Sequence, residues 1–182
     1  MLLVALCAVS ACSGITGEAH PGDVPGAEQK SGTVPSTGAT SSASISASLD
    51  PCSLLSVEDL TEYGEVNAGE ARNLNGSRSC AWQRDYEAGG HEGFVISLDV
   101  WGEHSIDDMK SVSDNTAEVE VNGRPAVRLT NPDRGYCTVG LKLDDTSRID
   151  VGINGFSDYQ DSCQVAEDVV YLVEPRLPDL PS

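Results

Sequence analysis

Cationic side chains are scarce in this sequence. Its 182 residues hold 11 Lys and Arg against 29 Asp and Glu, a formal charge of −18. Such a surface repels phosphate backbones and anionic headgroups, so nucleic acid is not expected as a partner, and the acidity reads first as a solubility device. Motifs for catalysis are missing too. There is no H-E-x-x-H, no P-loop and no GxGxxG. Gly155-Phe156-Ser157-Asp158-Tyr159 fails the G-x-S-x-G pattern at its last position. His20 falls in a low-complexity stretch, which leaves His91 and His104 to the rest of the chain, and both read as surface histidines. No CxxC spacing supports a zinc site. Asp107-Asp108 and Asp144-Asp145 do not fit an EF-hand loop and read as solvated turns. No catalytic residue, metal ligand or cofactor is therefore expected. A carboxylate pair of the glycosidase kind has no local signature, because its members lie far apart in sequence. An extracytoplasmic hydrolase built on such a pair, or on a histidine, is the alternative reading.

What the sequence does carry begins at the N-terminus. Met1 to Ala11 hold no charge, and Leu2 to Val9 form an apolar run. The run is too short to cross a bilayer and has the size of a signal-peptide core, although the basic flank is lacking. Val9-Ser10-Ala11-Cys12 follows and resembles a bacterial lipobox. Small residues before the cysteine admit the peptidase, and the thiol accepts a diacylglyceryl thioether. Residues 1–11 are thus expected to be a signal peptide, and Cys12 the lipidated residue that holds the protein on the outer face of the cell membrane. Residues 12–48 are rich in Gly, Ser, Thr, Ala and Pro, with Ile15 and Ile45 the large apolar exceptions. That composition cannot offset its own ordering entropy and reads as a flexible linker, reaching roughly 30–36 Å. Apolar residues make up 39% of the whole chain, in keeping with one core and an unfolded remainder.

Residues 49–182 read as one α+β domain. Asp50-Pro51-Cys52-Ser53-Leu54-Leu55 suits a single helical turn. Ser56 and Asp59 have capping-box spacing ahead of a helix from Val57 to Tyr63, with Gly64 as its stop. The Gly- and Asn-rich stretch 64–79 reads as a loop. Cys80 to Arg84 suits a strand. Phe94, Ile96, Leu98 and Val100 alternate with Val95, Ser97, Asp99 and Trp101, a strand with one apolar face. Ile106 to Val112 suits a short helix. Asn122-Gly123, between Val119/Val121 and Val127/Leu129, signals a hairpin. Cys137, Val139, Leu141 and Leu143, then Ile149, Val151 and Ile153, suit two further strands. A last helix runs from about Asp161 to Glu174, with Cys163, Ala166, Val169, Val170 and Val173 on one stripe and Pro175 ending it. The pattern predicts an antiparallel β-sheet with helices packed on one face.

Cys52, Cys80, Cys137 and Cys163 form an even set outside the membrane, which reads as disulfides. Of the three connectivities, pairing in sequence order, Cys52 with Cys80 and Cys137 with Cys163, is preferred. Each such bond closes a loop worth roughly 3.5 kcal/mol in the chain-entropy model.

Several of these segments together resemble an actinobacterial lipoprotein family, domain of unknown function 3558. Asp50-Pro51-Cys52-Ser53-Leu54-Leu55 with Asp59-Leu60 is similar to its opening motif. Cys80-Ala81-Trp82, Val121-Asn122-Gly123-Arg124-Pro125-Ala126, and Cys163-Gln164-Val165-Ala166 with Leu177-Pro178 resemble those that follow. The resemblance covers about Leu49 to Pro178 and rests on the order of the motifs. It implies a place in the cell envelope and no reaction, with an envelope or secretion-apparatus protein as a partner.

For a binding surface, alternation singles out Trp101, Arg128 and Lys142. The apolar positions of their strands are assigned to the core, which sends these three to the opposite, polar face. Arg124, Arg128, Arg134, Lys142 and Arg148 crowd into 25 residues. They form either a positive patch or, as preferred here, ordinary pairs with neighbouring carboxylates. Trp101 is either an exposed anchor or covered by the loop around His104. The expected function is a lipid-anchored extracytoplasmic binding module.

Overall fold

Two Asn-Gly turns, one near each edge, help set the register of the sheet. The computed structural model describes residues 44–86 and 93–181, all within the compact unit from Ser41 to Ser182. Asn122 and Gly123 both take positive φ, 51° and 84°, the mirror-image turn that matches strand twist. They join β4 (Thr116–Val121) to β5 (Arg124–Asn131) with Val121 opposite Arg124. Asn75 and Gly76, at 51° and 93°, do the same between β1 (Glu70–Leu74) and β2 (Ser77–Arg84). The stretch expected to be a loop is therefore largely a hairpin. Its first strand is exposed along its whole length, so no apolar alternation marks it in the sequence.

β3 (Phe94–Trp101), β6 (Tyr136–Lys142) and β7 (Arg148–Asn154) complete a seven-stranded sheet in the order β1-β2-β3-β7-β6-β5-β4. Every neighbouring pair is antiparallel. β3 alternates as expected: Phe94, Ile96, Leu98 and Val100 are buried, and the residues between them half-buried. Cys137, Val139 and Leu141 of β6 and Ile149, Val151 and Ile153 of β7 join them in one core.

Helical segments close that core. The 3-10 turn Pro51–Ser53 and the 3-10 helix Glu58–Tyr63 stand where a turn and an α-helix were expected. The second is preceded by the expected box: the backbone N–H and hydroxyl of Ser56 both donate to Asp59 Oδ2, at 2.8 and 3.1 Å. Gly64 ends it at φ 93°. The long α3 helix (Tyr159–Val173), capped by Asp158, buries Val165, Ala166, Val169, Val170 and Val173. Both disulfides lie in this layer. Cys52–Cys80 fastens the N-terminal turn to β2, and Cys137–Cys163 fastens α3 to β6, the sequence-order pairing. Arg176 donates to both carboxylate oxygens of Asp59, at 2.7 and 2.6 Å, and so ties the end of the domain to its beginning.

Folded structure begins before Leu49. Ile45–Ser48 form a one-turn helix, α1, with Ser46 buried and Ile45 against the core. Arg78 fastens it by donating to the carbonyls of Ser46 and Leu49. The expected linker boundary at Ser48 thus moves back by a few residues. The expected signal peptide, Cys12 and the stretch up to Ala43 expected to be a linker lie outside the described residues, as does His91.

The opposite face of the sheet is not bare either. α2 (Ile106–Val112), with a capping box between Ser105 and Asp108, lays Met109 over Val127 and Leu129 in a second small cluster. Gly140 permits this approach, since a Cβ there would stand 2.2 Å from Met109 Sδ.

Candidate functional site

The register decides which side chains share the polar face. Trp101 stands opposite Arg148, and Arg148 opposite Lys142. Two of the three expected surface residues thus fall in one row on the face away from α3. Arg128 does not. It stands opposite Val139, so it points to the α3 side, where it donates to Glu167 at 2.6 Å. The reason is that β5 is apolar on both faces. Ala126 goes with the main core, while Val127 and Leu129, expected there, pack under α2 instead. Alternation cannot choose a face for such a strand.

The positive patch dissolves in the same way. Arg124 points to the α3 side, only 6% exposed, and donates to Glu174 and to the carbonyls of Lys142 and Pro178. Lys142 pairs with Asp145 at 2.7 Å, and Arg148 with Asp150 at 2.8 Å. Trp101 is half-buried: His104 meets its ring edge-on at 5.4 Å, and the Arg148 guanidinium lies 5.1 Å from its centroid. Its indole is packed among neighbours.

Beside this row lies a buried polar network. Asp99 and Asp150 face one another on β3 and β7. Ser79 and Ser97 donate to Asp99, and Arg148 holds Asp150 and also reaches the carbonyl of Ser105 at 2.8 Å. Burial pushes the Asp150 carboxyl up to about 6, against the opposing pull of Arg148, with the charge of Asp99 adding to the rise. Asp99 lines a cavity, while Asp150 is 6% exposed and held by Arg148.

The cavity at Asp99 is a groove of about 330 Å³ across β1, β2, β3, β7 and β6. Its floor is a row of small side chains on neighbouring strands: Ala81 opposite Ser97, Ser97 opposite Gly152, Gly152 opposite Thr138. Arg72 and Leu74 of β1 border one side; Tyr136 and Asn154 are also in the lining. A Cβ on Gly152 would come within 2.8 Å of Ser97 Oγ, so glycine keeps the floor low. Sequence reasoning missed this groove. Thr138 could be placed on the outer face, but the strands that complete the walls come together only through the topology.

A larger cleft, about 630 Å³, opens where the 3-10 helix, β2 and α3 approach one another. Phe94 and Phe156 stack in it at 4.8 Å, and Arg84 lies over Phe94. Glu62, Glu65, Asp161 and Asp168 line it, part of the acidic surface that the composition dictates. Among the described residues no group of His, Cys, Asp and Glu is arranged to hold a metal ion.

The model of one protein family, described as protein of unknown function (DUF3558), matches residues 7–176. The chain belongs to this family. The match takes in the whole sheet of this DUF3558 domain, both disulfides and the groove. No curated protein and no solved structure matches the chain. The reading of the site thus rests on its geometry.

Proposed function

We propose that this DUF3558 protein is a lipid-anchored binding module on the outside of a bacterial cell membrane, presenting the polar face of its sheet to an envelope partner. The observation that carries the binding role is the groove on that face. It crosses five strands of a sheet braced by two disulfides, so its walls are rigid and need little ordering on binding. The disulfides also support an oxidising location, outside the cytoplasm. Val9-Ser10-Ala11-Cys12 and the Gly/Ser/Thr/Pro-rich stretch after it support a tether. Trp101 and Lys142 lie on the same face of the sheet, outside the groove lining, while Arg128 points to the α3 side. Envelope and secretion-apparatus proteins are the partner class that the family resemblance suggests.

The tether is tested by Cys12→Ala in a bacterial host that processes lipoproteins. The wild-type protein should partition with membranes and gain the mass of its acyl chains, while the variant should be unprocessed or soluble. At about 0.8 kcal/mol per buried CH₂, several acyl chains make spontaneous release negligible. Equal partitioning and equal mass would remove the anchor from the account.

A further inference from the structure

The groove on the polar face also points to the chemistry of its ligand. We infer that it binds a neutral saccharide, a short stretch of envelope glycan laid across β3, β7 and β6. This rests on the proposed binding role of that face and names what it holds.

The charges of the groove are already satisfied. Arg72 is tied to Glu70 at 2.6 Å, and Asp99 accepts from Ser79 and Ser97. Among the described residues, an anionic ligand finds no free cation there, and a cationic one no free carboxylate. What remains is neutral. The Tyr136 hydroxyl, the Thr138 hydroxyl and the Asn154 carboxamide line the groove and have no hydrogen-bond partner among the described residues. Each can both donate and accept, which suits a ligand whose hydroxyls do the same. Tyr136 adds an apolar ring beside its polar tip, and Leu74, half exposed, adds an apolar wall. An extended peptide is the poorer fit. Peptides join sheets at an edge through main-chain bonds, and on the face of a sheet those groups are already used in the ladder. The size agrees: about 330 Å³ lies at the small end of ligand pockets. The low floor at Gly152 gives a flat ring room to lie down.

The test is an array of neutral bacterial glycans probed with the full-length, detergent-solubilised protein, followed by titration of the best binder. Asn154→Ala and Thr138→Val should each weaken retention about tenfold, the scale of one lost neutral hydrogen bond left unmatched. Glu167→Ala, on the α3 side, should leave it unchanged. Asn154 is exposed and Val is nearly isosteric with Thr, so both variants should keep the wild-type melting temperature. No glycan retained above a heat-denatured control, or retention that both variants keep, would overturn the proposal. If the same variants instead lose capture of an envelope protein, the binding face stands and the saccharide falls.

Discussion

On one face of the sheet, Phe94, Ile96, Leu98 and Val100 point into a core closed by α3 and two disulfides. On the other, Val95, Ser97, Asp99 and Trp101 of the same strand meet hydroxyls, carboxylates and a guanidinium. Along β3 the first face is apolar and buried. The second carries a short helix at one end and an open groove further along. A single strand thus serves the core with its even-numbered residues and, in the function proposed here, recognition with its odd-numbered ones.

The sharpest way to break this comparison is to truncate neighbours on opposite faces. Leu98→Ala should cost about 2–5 kcal/mol, because the side chain is fully buried and its cavity cannot collapse under disulfide-fixed helices. Ser97→Ala, one residue away, should cost under about 1.5 kcal/mol, the net worth of one hydrogen bond. Urea unfolding of both variants measures the difference. Similar losses would mean that the polar face is as structural as the core.

A subtler contrast lies in pH. Asp150 has its carboxyl raised to about 6, so its contribution to stability is present below its ordinary value near 3.8 and is lost as pH rises through about 6. Asp59, in the helical layer, behaves the other way. Arg176 holds its carboxyl well below the usual range, so its contribution is present at neutral pH and is lost as pH falls below the ordinary carboxylate value. Asp150→Asn should therefore gain stability relative to wild type as pH rises from about 4 to about 7, by denaturant unfolding at each pH. Parallel curves for the two proteins would show that Asp150 titrates normally.

The smallest effect is expected at Arg128. Its pair with Glu167 is more than a third exposed at each side chain, so Arg128→Ala should change stability by no more than about 1 kcal/mol. Because it lies on the α3 side, it should not touch partner capture at all. A loss of capture at unchanged stability would place the binding surface on the wrong face here.

These contrasts also show where the sequence speaks plainly. β3 is legible because one face is buried and the other is not, so Phe94 to Trp101 alternate cleanly. The disulfides are legible because sequence neighbours in a meander and its covering helix end up adjacent. Alternation sends Arg128 to the wrong face because α2 covers the far side of β5, making Val127 and Leu129 buried like Ala126. The hairpin at Asn75-Gly76 carries the same dipeptide as the one at Asn122-Gly123. In the sequence it reads as a loop, because Glu70 to Leu74 are exposed throughout and leave the turn without flanking apolar alternation. The groove was not legible at all, for its lining comes from five strands whose order in space differs from their order in the chain.

The central claim is that the polar face, and not the helical one, meets the partner. Site-specific photo-crosslinking in intact cells tests it directly, with the reactive group placed at exposed Asn154 on the polar face or at Glu167 on α3. The account predicts adducts from Asn154 and none from Glu167, with glycan or protein partners told apart by mass. Adducts from Glu167 alone would contradict it.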